Sequence, residues 1–338
     1  MAVSLTGSTQ VGRADAFLQS LGINIHANWW DTTYADPKRI LDALQFLGVS
    51  NVRDVMTSVD SVWWTLPYRL LAEAGIRFDL MVPGGAVDLP GYIARLEDFA
   101  TRYPGAVRYV EGPNEVNTWA VHHGGKTGLA AAAALQEDLA ALVRHSAVLG
   151  EKGQNVPLLP VTLGGSGPTE YAQLGDLRNF ADRANVHAYF PNGAAIGGVL
   201  DFALDLGSRS ASGMPAVITE TGHYTLPGHT DWGGVSEDAQ ARATLITLLE
   251  SWERGVETTY LYELFDLKAD PAGVDREMHF GLFGIDGAPK PAAKALGAFT
   301  ALLRSDPALT GGTAVTLPPT YTLAGAPADL DQLLLQRT

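Results

Sequence analysis

The chain has 338 residues, of which 46% are hydrophobic and 18% are charged, and its formal net charge is −14. This acidic balance repels phosphate backbones and anionic lipid headgroups, so neither nucleic acid nor a membrane is expected as a partner. The lack of cysteine in the sequence excludes disulfides, zinc-thiolate sites and thiol nucleophiles. No apolar run reaches the roughly 20 residues that a membrane-spanning helix needs.

The amino-terminal residues, Met1 to Leu5, have neither a basic start nor an apolar leader. These residues are therefore not expected to form a signal peptide. We expect a secreted or periplasmic monomer whose leader is absent from this sequence, with a cytoplasmic location as the alternative.

Eight strand-like runs recur along the chain. Most are continuous apolar runs, which is typical of parallel strands that are covered by helices on one face and by a packed interior on the other. The predicted strands are Gly22–Ala27, Val49–Val55, Ile76–Val82, Val107–Glu111, Leu158–Leu163, Asn185–Tyr189, Ala216–Glu220 and Thr258–Leu264.

Helical patterns lie between these strands. Asp36 and Pro37 provide an N-cap and a first-turn proline, and Gly48 ends the apolar stripe that follows them. Further helices are predicted within Gly128–Gly150, Ser236–Gly255 and Pro289–Ser305. Strands that alternate with helices indicate parallel βαβ units, and eight such units predict an α/β fold, the (β/α)8 TIM barrel, over residues 1–305. No glycine-rich phosphate loop follows the first strand, which argues against a dinucleotide-binding fold.

The sequence changes character after Asp306. Turn signals are followed by two short strand-like runs, Tyr321–Leu323 and Leu333–Thr338. No hairpin follows the last run to pair with its edge. We therefore expect residues 306–338 to be a β-rich tail, the start of a truncated β-sandwich.

Two carboxylates stand at the ends of strand-like runs. Glu115 follows Gly112–Asn114 after the fourth run, and Glu220 ends the seventh. A carboxylate is costly to bury, so a strand end that faces a cleft is a favourable place to keep one for chemistry. Breaking a glycosidic bond requires at least two carboxylates that face one sugar ring.

Asn114-Glu115 after the fourth strand and Glu220 after the seventh resemble the signature of clan A glycoside hydrolases, especially bacterial family 39-like and family 5-like members. The resemblance covers Ile23 to Leu302, and the run His279–Pro291 is similar to the loop before the last helix of these enzymes. It implies a retaining mechanism, with Glu115 as the general acid/base and Glu220 as the nucleophile.

Other polar residues at predicted strand ends fit this chemistry. Asn114 is a candidate to bind the 2-hydroxyl of the reacting sugar. Arg53 is expected to keep Glu220 ionised by charge pairing. His187 and Tyr189 point to the same face, because strand residues two apart do so. In similar enzymes the tyrosine of this pair hydrogen-bonds the nucleophile, which implies that role for Tyr189.

Further candidates for substrate binding follow the predicted strands. Trp29, Trp119 and Tyr262 offer aromatic platforms for the apolar faces of sugar rings, although core packing is the alternative for any tryptophan. His26 and Asn28, at the end of the first strand, are candidates to bind sugar hydroxyls, although a lone histidine is often structural.

The remaining histidines and carboxylates have less specific patterns. His122 and His123 lack a third ligand nearby, so no metal is expected, and no cofactor is expected either. Glu111 is predicted to be a structural carboxylate in the barrel interior that pairs with an arginine or a backbone donor. His223 and Glu263 are candidates for outer subsites.

One departure from the resemblance concerns the eighth strand. Many clan A enzymes have a tryptophan at its end, whereas this chain has Tyr260–Asp266 without one. The departure argues against a simple cellulase and favours the family 39-like side. The substrate is then a poly- or oligosaccharide, such as a plant or bacterial exopolysaccharide, and xylosides, uronosides and rhamnose-linked glycans all stay open.

Three other functions remain as alternatives. A non-catalytic carbohydrate-binding barrel and a transglycosylase would use the same residues. An unrelated barrel enzyme, such as an aldolase or a metal-dependent hydrolase, would need a Schiff-base lysine or a cluster of histidines and aspartates at the strand ends, and none of the eight predicted strands ends in a lysine.

Overall fold

A computed structural model describes residues 12–56, 62–165, 167–191, 195–226, 228, 234–304 and 335–336. Within these residues, eight parallel strands form one sheet. They are β1 Leu21–Asn24, β2 Asn51–Asp54, β3 Arg77–Met81, β4 Val107–Glu111, β5 Leu158–Leu159, β6 Ala184–Tyr189, β7 Ala216–Gly222 and β8 Thr258–Leu261. Each of the eight barrel strands predicted from the sequence is therefore confirmed, and most differ from the predicted bounds at one or both ends.

The strands are hydrogen-bonded in the order β5-β4-β3-β2-β1-β8-β7-β6, which is a nearly closed barrel. Between β5 and β6, Asp182 N donates to Leu158 O over 2.8 Å, and Asn185 Nδ2 donates to Pro160 O over 2.9 Å. β5 is short because prolines precede and follow it, and proline has no backbone N–H for a ladder bond. These bonds join the two ends of the sheet, and the predicted (β/α)8 fold is confirmed.

A helix follows each strand on the outside of the barrel. The helices are α1 Pro37–Leu47, α2 Val62–Glu73, α3 Leu89–Arg102, α4 Gly128–His145, α5 Pro168–Leu174, α6 Ile196–Ser210, α7 Glu237–Glu253 and α8 Pro291–Arg304. The predicted end signals of α1 are present, because Asp36 accepts a hydrogen bond from Lys38 N over 2.9 Å and Gly48 has φ +68°. Glycine adopts this left-handed conformation without the steric conflict of a Cβ.

Apolar side chains of the strands pack outward against the helices, whereas the upper barrel interior is polar. Asn24, Arg53, Glu111, Asn185 and Thr219 are all buried there. Asn185 links two of them, donating to Glu111 Oε1 over 2.9 Å and accepting from Thr219 Oγ1 over 2.7 Å. Buried polar groups are tolerated when they are hydrogen-bonded, so this layer forms a rigid base beneath the carboxyl ends of the strands.

Two short strand pairs lie outside the barrel. Leu335–Gln336 pairs in parallel with Gly12–Arg13, and His122–His123 forms a hairpin with Lys126–Thr127. The predicted strand Tyr321–Leu323 lies outside the described residues, so the division into a barrel and a β-rich tail stays a prediction. Among the described helices, none is both long and apolar enough to cross a membrane.

Candidate active site

Glu115 and Glu220 converge on one histidine at the carboxyl ends of the strands. Nδ1 of His187 lies 3.0 Å from Oε1 of Glu115 and 3.5 Å from Oε2 of Glu220. One oxygen of each carboxylate and one nitrogen of the histidine all lie within 4.8 Å of one another. Carboxylate oxygens within this limit fit the roughly 5–5.5 Å between the two carboxyl groups of retaining glycosidases better than the roughly 6.5–9.5 Å of inverting enzymes.

A β-bulge directs Glu220 into the site. Along β7, Ile218 is paired with Val186 of β6, but the next pair is Glu220 with His187, so Thr219 and Glu220 together face one residue. Strict alternation would place Thr219 and Glu220 on opposite faces of the sheet. The extra residue turns both inward, which is a typical use of a bulge beside an active site.

The surroundings of Glu220 stabilise its ionised form. Burial raises the pKa of this carboxyl, but His187, Arg53 and the hydrogen bond from Tyr189 outweigh burial, so the pKa of Glu220 is lowered. Tyr189 donates its hydroxyl hydrogen to Oε2 over 2.8 Å, and Arg53 Nη1 donates to Oε1 over 2.6 Å. Both carboxylate oxygens thus accept hydrogen bonds, which favours the ionised form of Glu220.

Arg53 lies in the barrel interior and connects the end of β4, where Glu111 and Asn114 lie, to Glu220 in β7. Its Nε and Nη2 donate to the two oxygens of Glu111 over 2.6 Å and 3.0 Å. Nη2 also donates to Asn114 Oδ1 over 2.7 Å. The expected charge pair with Glu220 is present, and Glu111 is buried and paired with an arginine as the sequence predicted. A planar guanidinium suits this arrangement because its donors have a fixed geometry.

Glu115 has an unusual backbone conformation. Its φ of +42° lies in the left-handed region, which costs a non-glycine residue about 1–3 kcal/mol unless the surroundings compensate. Its N–H donates to Thr162 Oγ1 over 3.0 Å, and Val116 N donates to Thr162 O over 3.0 Å. The threonine that follows β5 therefore helps to hold the turn in which Glu115 lies.

The two glutamates line a cleft of about 560 Å³ at the carboxyl ends of the strands. This is where the active sites of such barrels lie. The predicted residues that also line it are His26, Asn28, Trp29, Arg53, Asn114, Trp119, Tyr189 and Tyr262. His187 contacts both glutamates from the side, so the fold brings these candidates together with Glu115 and Glu220, whereas the outer-subsite candidates His223 and Glu263 do not line the cleft.

One wall of the cleft is organised by a buried carboxylate. Nε2 of His26 lies 3.2 Å from Oε2 of Glu263, which also accepts from Tyr34 OH over 2.9 Å. Burial lowers the pKa of His26. The carboxylates of Glu263, Asp54 and Glu220 act in the opposite direction, and because their combined effect is larger, the pKa of His26 is raised. The ring of Trp29 stacks on His26, with centroids 3.8 Å apart. Glu263 therefore positions this wall without lining the cleft.

The outer-subsite candidate His223 lies outside the cleft, as do His123 and Trp30. His223 stacks on Phe190, and burial lowers its pKa to about 4. His123 pairs with Asp138 over 2.7 Å in the outer hairpin. Trp30 is 71% exposed and lies beside a separate groove.

Some residues that line the cleft were not predicted from the sequence, among them Asp54, Thr118, Gly164, Gly165, Arg276 and Glu277. Asp54 directly follows Arg53 at a strand end, a position that could have indicated it. Burial raises the pKa of Asp54 to about 6, although Ala27 N and Val55 N donate to it. Arg276 and Glu277 lie in an irregular loop that gives no periodic signal.

No protein-family model and no curated protein matches the chain. Its fold is similar to that of a glycoside hydrolase family 17 β-1,3-glucanosyltransferase from Rhizomucor miehei, at 19% identity and a TM-score of 0.59, covering 82% of this chain and 97% of that one. It is similar to the GH39 enzyme from Xanthomonas axonopodis pv. citri, at 16% identity and a TM-score of 0.59, covering 87% and 68%. An endo-laminarinase from Formosa has 16% identity and a TM-score of 0.56, covering 87% and 91%.

These likenesses establish the barrel fold. A GH5 enzyme is also among the similar structures, so the predicted resemblance to family 39 and family 5 barrels is confirmed at the level of fold.

Proposed function

We propose that the protein is a retaining glycoside hydrolase that cleaves a neutral poly- or oligosaccharide by double displacement. The observation that carries the proposal is the convergence of Glu115 and Glu220 on Nδ1 of His187, with the three groups within 4.8 Å of one another. Two carboxyl groups at this distance can both reach the anomeric carbon region of a single sugar. The carbohydrate-acting proteins named in the similar structures support the same class.

In the first step, Glu220 attacks the anomeric carbon and forms a covalent glycosyl ester. The bond from that carbon to the leaving-group oxygen breaks, and Glu115 donates its proton to this oxygen. Arg53 and Tyr189 favour the ionised form of Glu220, because both donate hydrogen bonds to it. Asn114 lines the cleft and accepts from Arg53 through Oδ1, so its amide nitrogen is the group that donates to the 2-hydroxyl of the sugar in this proposal.

In the second step, water replaces the leaving group. Glu115, now ionised, takes a proton from the water while the water oxygen attacks the anomeric carbon. The bond to Glu220 breaks, so the carboxylate is regenerated and the sugar is released with its original configuration.

The charges of the cleft favour a neutral sugar chain. Its lining includes the carboxylates of Asp54, Glu115, Glu220 and Glu277, against the guanidinium groups of Arg53 and Arg276. This balance and the net charge of −14 disfavour uronic or sulfated glycans. We propose a plant or bacterial exopolysaccharide as the substrate and a secreted or periplasmic monomer as its form.

Transglycosylation is the second candidate function. Trp119 lines the cleft four residues after Glu115 and is 60% exposed, so it offers a platform on which an acceptor sugar could replace water. The glucanosyltransferase among the similar structures is named for such a transfer. Product analysis at high substrate concentration separates the two reactions.

The test is a pair of nucleophile and acid/base variants. The purified protein is first screened on a panel of neutral and anionic polysaccharides and aryl glycosides. Glu220→Ala is expected to lose at least about 1,000-fold in turnover and to be partly rescued by azide with inversion. Glu115→Ala is expected to keep most of its first-step rate on 2,4-dinitrophenyl glycosides, whose leaving group needs no proton.

The matched control is Glu151→Ala, an exposed glutamate in a turn, which is expected to leave turnover unchanged. Near-normal turnover in both active-site variants would show that Glu115 and Glu220 do not perform the reaction. A protein that binds a glycan without cleaving any member of the panel would instead be a carbohydrate-binding barrel.

A further inference from the structure

The loops that follow β4 and β5 are joined by a reciprocal pair of hydrogen bonds. Nδ2 of Asn117 donates to Gly164 O over 2.7 Å, and Gly164 N donates to Oδ1 of Asn117 over 2.8 Å. Because the amide uses its donor and its acceptor on the same residue, both the distance and the orientation of the two loops are set at this point.

The Asn117 side chain itself lies outside the cleft. It is exposed, whereas Gly164 belongs to the cleft lining. Asn117 can therefore affect the site by positioning the backbone of Gly164, and not by contacting the substrate.

Gly164 is in close contact with the carboxyl group of Glu115. A Cβ built on Gly164 would lie 2.5 Å from Cδ of Glu115 and 2.6 Å and 2.7 Å from its two oxygens. The carboxyl group thus lies directly against this glycine, which limits the positions it can take. The position of Gly164 decides where the carboxyl group can lie.

The backbone of Glu115 needs this external support. Its φ of +42° is unfavourable for a glutamate, and such conformations persist where surrounding contacts hold them. Thr162 holds the backbone of Glu115 and Val116, while Asn117 and Gly164 hold the segment two residues further along each loop.

We propose that Asn117 is a positioning residue for proton transfer by Glu115. By fixing Gly164, it keeps the Glu115 carboxyl group beside Nδ1 of His187 and next to the leaving-group oxygen. The inference rests on the proposed function, in which Glu115 protonates that oxygen. Loss of the Asn117 bonds allows Gly164 to recede and the carboxyl group to leave the position for proton donation.

The experiment compares kcat/KM of Asn117→Ala on two aryl glycosides of the sugar that the protein cleaves. A phenyl glycoside needs a proton from Glu115, and a 2,4-dinitrophenyl glycoside does not. Asn117→Ala is expected to lose about 10- to 100-fold on the phenyl substrate, as a misplaced general acid does, and less than about twofold on the dinitrophenyl substrate. Gly164→Ala, which pushes directly on the Glu115 carboxyl, is expected to show the same selectivity.

Asn179→Ala is the matched control, since Asn179 is an exposed asparagine before β6, at the opposite end of the barrel. It is expected to change neither rate. Thermal unfolding of each variant shows whether the fold is intact.

Equal losses of Asn117→Ala on both substrates, or no loss on either, would overturn the inference. Glu115→Gln is measured in parallel to separate this failure from a failure of the proposed function. If Glu115→Gln shows the selectivity and Asn117→Ala does not, only the positioning role fails. If Glu115→Gln shows none, the acid/base assignment fails as well.

Discussion

Nη1 of Arg53 donates a hydrogen bond to Oε1 of Glu220 over 2.6 Å, and only 1% of the arginine surface is exposed. The same guanidinium holds both oxygens of Glu111 in the barrel interior. One buried cation therefore connects a structural carboxylate to the proposed nucleophile, and its loss affects stability and chemistry together.

Removal of this cation should destabilise the barrel. Arg53→Met leaves Glu111 buried without its partner, so we expect the free energy of unfolding to fall by about 3–5 kcal/mol. The double variant Arg53→Met/Glu111→Gln removes the uncompensated charge and should regain part of this loss. Urea unfolding measures both values.

The control for the arginine prediction is Arg69→Met, which breaks an exposed pair with Glu73. It is expected to change the free energy of unfolding by less than about 1 kcal/mol. A double variant no more stable than Arg53→Met would contradict the charge-based explanation.

The pH dependence of activity should reflect the hydrogen bond from Tyr189. The pKa of Glu220 is lowered in the folded protein, so its contribution to stability is present above the unfolded glutamate pKa and is lost as the pH falls through the folded value. Tyr189→Phe removes one of the bonds that favour the carboxylate. The acid limb of kcat/KM and the acid loss of stability should both move to higher pH.

Tyr103→Phe, at the end of α3, is the control for this prediction and should leave the acid limb in place. The pH profile of kcat/KM and the pH dependence of urea unfolding provide the measurements. An unchanged acid limb in Tyr189→Phe would mean that Glu220 does not set it.

A third prediction concerns the titration of His26. Burial lowers the pKa of this histidine, but Glu263 together with Asp54 and Glu220 has a larger opposite effect, so the pKa is raised in the folded protein. A raised histidine pKa contributes stability that is full below the unfolded value and is lost as the pH rises through the folded value. Glu263→Gln should lower the pKa of His26, which an NMR titration of its ring protons measures.

Asp138→Asn, which removes a carboxylate in contact with His123 of the outer hairpin, is the control variant. It should leave the titration of His26 unchanged. A His26 titration that does not move in Glu263→Gln would show that Glu263 does not determine its charge.

The fourth prediction compares two exposed tryptophans. Trp119 lines the cleft and Trp30 does not, although they are 60% and 71% exposed. Trp119→Ala should raise KM for an oligosaccharide by about fivefold to tenfold, which corresponds to about 1–1.4 kcal/mol. Trp30→Ala should change KM by less than about twofold. Equal effects of the two substitutions on KM would contradict the placement of the sugar chain along Trp119.

Local patterns in the sequence were enough to locate the strand ends. The continuous apolar run before Glu220 and the run before Asn114 each predict a buried strand, because burial on both faces selects such residues. Once eight such runs indicate a barrel, their carboxyl ends must meet at one edge. The meeting of Glu115, Glu220, Arg53 and Tyr189 follows from this topology.

Other features depend on contacts between distant segments. Asn117 and Gly164 are 47 positions apart, and nothing in the residues around either one indicates their reciprocal hydrogen bonds. Arg276 and Glu277 reach the cleft from a loop whose path is set by packing, so no periodic pattern could have placed them there.

By itself, the sequence determined the order of strands and helices, the polar residues at the strand ends and the pairing of Arg53 with carboxylates, because these depend on short-range patterns and on barrel topology. The tertiary structure alone decided the bulge that turns Glu220 inward and the left-handed backbone of Glu115. Both features need neighbouring strands and loops to hold a conformation that the local chain disfavours.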